Sequence, residues 1–145
     1  MTQPFQQILV ATDFSTCSTA ALRYALQLAS PLGAAVDVVH AWDYRAVYSR
    51  AMAGSGPPER EVERMQEAAS ARLKTFCEGH DIRRRLVRGG EAAAEVAQAA
   101  AGYDMLVVGT HGRQGVSRLF LGSVAEQIVR TAPCPVLTVR APDEE

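Results

Sequence analysis

Met105-Leu106-Val107-Val108-Gly109-Thr110-His111-Gly112 is a run of apolar residues that passes straight into a glycine-bearing loop, and Gly122-Ser123 then opens an amphipathic stretch. A short apolar run closed by glycine reads as a buried strand, and the 3.6-residue spacing beyond Ser123 reads as a helix. The same alternation extends in both directions. Ile8-Leu9-Val10-Ala11 is a strand ended by Thr12-Asp13, and Ser15 is placed to cap a helix burying Ala21, Tyr24, Ala25 and Leu28, which Pro31 and Gly33 stop. Val36, Val38 and Val39 lead to His40-Ala41-Trp42 as a second strand, and 82–88 form a third. Between them, Val62, Met65, Ala69, Leu73 and Phe76 mark a long helix from Glu59 to Gly79. An alanine-rich helix buries Ala93, Val96, Ala97 and Ala100 and stops at Gly102. The last helix turns Val124, Ile128 and Val129 inward and ends at Pro133, and Val136-Leu137-Thr138-Val139 is the final strand. Residues 45–58 lose periodicity around Gly54-Ser55-Gly56-Pro57-Pro58 and read as a mobile surface loop.

Strand–helix alternation of this kind predicts an α/β fold, an open five-stranded parallel sheet with helices on both faces, Rossmann-like in architecture. At 145 residues it fits a single domain over 1–145. Ligands in such sheets bind beyond the carboxyl ends of the strands where the strand order reverses. That directs attention to Asp13, to His40-Ala41-Trp42, to Gly89-Gly90 and to 109–123.

Composition removes several function classes. Fifteen Lys+Arg against sixteen Asp+Glu leave a net charge of −1, which argues against a binder of polyanions. Lys74 is the only lysine and lies in neither a Walker A loop nor a kinase strand, so both phosphoryl-transfer machines are excluded. Cys17, Cys77 and Cys134 are odd in number and lack metal spacing, so neither a disulfide framework nor a zinc knuckle is expected. The first residues lack a signal-peptide pattern and no stretch is apolar enough for a membrane span; the expectation is a soluble, cytoplasmic chain.

The glycines carry the functional signal. Gly109 and Gly112 at a strand end let a loop curl against sugar or phosphate, and Gly122-Ser123 at a helix start offers backbone N–H groups and a hydroxyl to an anion. Glycines also simply turn chains, but this spaced set, followed by serine, arises in roughly one random chain in two hundred. It describes an anion cradle without a lysine.

With these residues in view, the sequence resembles the universal stress protein family over nearly its whole length. The likeness is carried by Ile8-Leu9-Val10-Ala11-Thr12-Asp13, Val38-Val39-His40, the 104–109 strand and Pro133-Cys134-Pro135-Val136. Gly109, Gly112, Gly122 and Ser123 match the signature of the family's ATP-binding branch. The resemblance implies strand order 3-2-1-4-5 and a regulatory, stress-response protein that holds ATP with little or no turnover, Mg²⁺ bridging the phosphates. It implies Asp13 and Ala41 beside the adenine, Gly109 and Gly112 along ribose and phosphates, and Gly122, Ser123 and Val124 on the phosphates. Ala41 replaces the frequent valine there, which loosens the adenine packing.

Thr12, Thr110, His111 and Arg113 complete the candidate site. Asp13 accepts from an adenine amino or ribose hydroxyl group, or else closes an Asx turn onto Ser15-Thr16. His111 has no visible nucleophile or carboxylate partner and reads as a loop residue beside the ligand. Arg113 and Arg118 flank the cradle and meet terminal phosphates or solvent. Arg83-Arg84-Arg85 with Arg88 reads as charge that blunts an exposed strand edge. Cys134 reads as a buried filler.

Two other readings stay open: a nucleotide-free homodimeric interaction module, and a nucleotidyl-transfer or ATP-hydrolysing enzyme. The second lacks H-x-G-H and S-G-G-x-D-S strings here. The implied strand order puts Val136, Leu137, Thr138 and Val139 at a sheet edge, apolar and uncharged, as the expected seam of a homodimer, with the acidic Asp143, Glu144 and Glu145 beyond it.

Overall fold

Five strands hydrogen-bond side by side in the order β3-β2-β1-β4-β5, all parallel. The computed structural model describes residues 5–54, 58–111 and 121–141, the side chains of 46, 47, 50, 51 and 58 excepted. In chain order the elements are β1 (Gln7–Ala11), α1 (Thr16–Leu32), β2 (Ala35–Trp42), α2 (Tyr44–Met52), α3 (Pro58–Cys77), β3 (Arg84–Gly89), α4 (Ala92–Ala99), β4 (Met105–Gly109), α5 (Ser123–Thr131) and β5 (Val136–Val139).

Alternation along the strands sends side chains to two cores. Ile8, Val10, Val36, Val38, Val107 and Val139 meet α1 and α3 on one face. Leu9, Val39, Leu106 and Val108 meet Ala93 and Val96 of α4 and Ile128 of α5 on the other. Parallel strands buried on both faces read as near-continuous apolar runs, which is why β1, β2 and β4 were legible.

The helix faces differ from expectation in two places. On α1, Ala21 and Ala25 are fully buried, but Tyr24 and Leu28 are 53% and 37% exposed. The buried face is Ala20, Ala21, Leu22, Ala25 and Ala29, and its four alanines bring the helix close to the sheet and leave Tyr24 and Leu28 at its flank. On α5, Ile128 is buried with Ala125, whereas Val124 and Val129 are exposed. Pro31 does not stop α1 either. The helix runs to Leu32 and is closed by Gly33 at φ +64°, and Gln27, whose carbonyl loses its partner at Pro31, is exposed.

Residues 44–52 form a helix where a loop was expected. Asp43 Oδ1 accepts the Arg45 N–H at 2.8 Å at its start, and Tyr44 lies edge-on to Trp42 with ring centroids 5.0 Å apart. These contacts are local, and the helix also packs against α3, which supplies the burial that periodicity does not predict there. Residues 55–57 lie outside the described set. Cys17, Cys77 and Cys134 are free, and Cys134 is half-buried rather than enclosed.

Candidate functional site

A cleft of about 380 Å³ opens at the carboxyl ends of β1 and β4. Its origin is topological. β1 leads through α1 to β2 on one side, β4 leads through α5 to β5 on the other, and the diverging connections leave a gap between them.

One wall is the end of β1 and the first turn of α1. Thr12 N–H donates to Val39 O at 2.9 Å, which keeps the chain in the sheet to this point. The hydroxyl of Thr12 is committed inside the turn: it lies 2.9 Å from Ser18 Oγ and accepts the Phe14 N–H at 2.9 Å. Asp13 Oδ1 accepts the Ser15 N–H at 3.0 Å, the Asx turn, and Ser15 Oγ caps α1 by accepting the Ser18 N–H at 3.2 Å. Asp13 itself is exposed, so it carries no cost of a buried carboxylate. Its side chain therefore closes the turn and also lines the cleft.

The opposite wall is the end of β4 and the start of α5. Thr110 N–H donates to Val139 O at 2.9 Å, and Thr110 O accepts the Gly122 N–H at 2.7 Å, so one residue ties both strands to the helix start. Thr110 Oγ1 lies 3.0 Å from His111 Nδ1. Gly122 is the N-cap of α5, and among the described residues no side chain caps the helix. The first helical bond is Glu126 N–H to Gly122 O at 2.9 Å, so the N–H groups of Ser123, Val124 and Ala125 have no intrahelical acceptor. They border the cleft with the positive end of the helix dipole behind them.

Ala41, Val96 and Ile128 supply an apolar wall. Thr12, Asp13, Ala41, Gly109, Thr110, His111, Gly122, Ser123 and Val124, all named from sequence, line this one cleft. Gly112, Arg113, Arg118 and 143–145 lie outside the described residues. Ser15, Ser18, Ala92, Val96 and Ile128 also line it, although the sequence marked Ser15 only as a cap, Val96 and Ile128 as core, and Ser18 and Ala92 not at all. Trp42 and Gly89 turn elsewhere: a Cβ at Gly89 would lie 2.5 Å from the Trp42 indole, which packs with Ala69 of α3. The close approach at Gly109 is also to protein, since a Cβ there would meet Cys17 Cβ at 2.7 Å and its carbonyl carbon at 2.9 Å.

Asp37 is the polar residue that sequence reasoning missed. It is fully buried on β2 and accepts from Arg83, Arg84 and the Tyr103 hydroxyl. The arginine run thus lies at the sheet edge as expected, but two of its members are engaged by this carboxylate. Among the described residues there is no group of three or more His, Cys, Asp or Glu that could hold a metal, and no helix is long and apolar enough to cross a membrane.

Residues 4–140 match the universal stress protein family model. The chain belongs to that family. This universal stress protein is 36% identical over 139 residues to one from Thermus aquaticus, covering 94% of this chain and 99% of the relative. Its fold is shared by the solved structure of the hypothetical protein MJ0577, with a TM-score of 0.78 at 23% identity, over 97% and 99% of the two chains. A universal stress protein solved in complex with cAMP aligns with a TM-score of 0.60 at 25% identity, over 96% and 99%.

Proposed function

We propose that this universal stress protein is a single-domain regulatory protein of the cytoplasm that holds an adenine nucleotide, ATP in the first instance, in the cleft between β1 and β4. The observation that carries this reading is the first turn of α5, which no side chain caps among the described residues and which lies at the cleft behind Gly122. Backbone N–H groups at a helix start take a phosphate without any lysine. Adenine packs against Ala41, Val96 and Ile128, with the Asp13 carboxylate at the edge of the ring or the ribose. Gly109 and Thr110 run along the sugar, and Ser123 and Val124 take the phosphates with Gly112 and Arg113. The relative solved with cAMP supports the adenine nucleotide class. Mg²⁺ fits as an ion carried on the phosphates, because Asp13 is the one carboxylate among the described lining residues.

Dimerisation through β5 belongs to the same reading. β5 is a sheet edge. Pro135 O and Val139 O accept from β4 and its loop, so alternation turns the backbone groups of Val136 and Thr138 outward for a second copy.

Calorimetric titration with ATP tests the nucleotide assignment, together with mass-spectrometric identification of any copurifying nucleotide. The expected result is saturable binding of one nucleotide per chain. No heat with ATP, ADP, AMP or cAMP at about 1 mM, a ligand concentration that detects complexes as weak as roughly 4 kcal/mol, would overturn it.

A further inference from the structure

Phe14 sits at φ +68°, in the left-handed region that a bulky residue rarely adopts. Its position is specific: it lies between Asp13, which lines the cleft, and Ser15, whose N–H the Asp13 carboxylate accepts at 3.0 Å. The Phe14 N–H itself donates to Thr12 Oγ1 at 2.9 Å. Rotating Phe14 to an ordinary negative φ swings the Ser15 N–H away from Asp13 and lets the carboxylate leave the cleft. Strain of this kind persists only where surrounding contacts over-determine it.

Those contacts lie on the far side of the turn. The Phe14 ring is 4.4 Å from the His40 ring and 5.7 Å, edge-on, from Phe76 of α3. The Arg72 guanidinium carbon stands 4.3 Å from the ring centroid, a cation–π contact from the exposed side of α3. His40 Nδ1 lies 2.8 Å from Thr12 O, which fixes the residue before Asp13 as well.

We infer that Phe14 is the positioning residue of the cleft and Arg72 its latch: a helix that adds nothing to the described lining holds the Asp13 carboxylate in place and so sets nucleotide affinity. The affinity part rests on the nucleotide reading above; the latch itself does not.

Amide exchange at Phe14 and Ser15, followed by NMR in the nucleotide-free protein, reads the latch directly. Arg72→Ala removes the cation from a surface position and is expected to speed both exchanges about two- to fivefold, with ATP affinity in calorimetry falling by a similar factor. Phe14→Tyr keeps the ring and retains wild-type values. Phe14→Gly accepts the same φ but loses the ring, so it binds ATP more weakly although the turn is allowed. In an Asp13→Ala background, Arg72→Ala has no further effect on affinity, because its influence passes through that carboxylate. Unchanged exchange in Arg72→Ala overturns the proposal, as does an undiminished affinity loss in the Asp13→Ala background. A wild-type protein that binds no adenine nucleotide overturns the reading of the cleft, and the exchange rates then decide the latch alone.

Discussion

Arg83 donates through Nη2 to Oδ2 of Asp37 at 2.7 Å, joining the strand at the sheet edge to a carboxylate that solvent does not reach. Arg83 Nε, the Arg84 N–H and Nε, and the Tyr103 hydroxyl complete its donors. Burial pushes the Asp37 carboxyl toward protonation, but the Arg83 guanidinium, the Tyr103 hydroxyl and Arg84 outweigh it and hold the carboxyl below its ordinary value of 3.8. A depressed carboxylate stabilises the fold above its unfolded value, and that stability is lost as pH falls through the folded one. Stability should therefore decline below about pH 4. Asp37→Asn should cost about 2 kcal/mol at neutral pH, under the range for fully buried pairs because both guanidinium groups are half-exposed. It should also flatten the acid limb in denaturant titrations. An unaltered acid limb would show that Asp37 does not supply it.

Gly109→Ala should destabilise by about 1–3 kcal/mol through overpacking. The new methyl meets Cys17 at its carbonyl carbon, 2.9 Å away, as well as at its Cβ. Cys17→Gly in the same chain should give only partial relief, because backbone remains in the way. Thermal unfolding of both variants checks this.

Gly122→Ala should behave in the opposite sense. Gly122 has φ −62° and ψ 156°, which any residue adopts, so the backbone there carries a side chain without strain. ATP affinity is expected to fall at least tenfold, about 1.4 kcal/mol, because the methyl intrudes where phosphate approaches backbone. Equal affinity at equal stability would remove the phosphate from this helix start.

Thr138→Pro separates the dimer from the fold. The Thr138 N–H faces away from β4, so a proline removes nothing from the sheet, while pairing with a second copy loses a donor and meets a ring. Light scattering at tens of micromolar should show a dimer in wild type and a monomer in the variant. Val139 is a poor site for the test, because it is 5% exposed within the core and a lysine there attacks the fold itself. A monomeric wild type would end the proposal.

Turnover of ATP should stay well below about 1 s⁻¹, the low end for enzymes. The titratable side chains among the described lining residues are Asp13 and His111, and Asp13 already accepts the Ser15 N–H. Steady-state phosphate release measures it, and a faster rate would revive the enzyme reading.

The sequence showed the strands and the cleft's glycines far better than the orientation of its helices. Val136-Leu137-Thr138-Val139 is β5 residue for residue, because Val136 packs on one core and Leu137 and Val139 on the other, which leaves a short apolar run in the sequence. Tyr24 and Leu28 have helical spacing, yet they flank α1, because spacing specifies a stripe and leaves its rotation to packing. Residues 44–52 lacked a stripe, and the local contacts of Trp42 and Asp43 together with packing on α3 support them as a helix. Asp37 could not be read as a buried anion, since its partners lie at 83, 84 and 103 and meet only across the sheet.

Local chemistry by itself determined the α/β alternation, the glycines at the end of β4 and at the start of α5, and the Ser15 cap, because each depends on a few neighbouring residues. Tertiary structure alone decided what those residues face. It turned Gly109 against Cys17 as well as the cleft, placed Asp13 in an Asx turn beside the helix start of α5, and set Phe14 in a left-handed conformation under Arg72 and His40. Such choices depend on contacts between residues far apart in the chain, and a contact of that kind leaves no periodic mark on either partner.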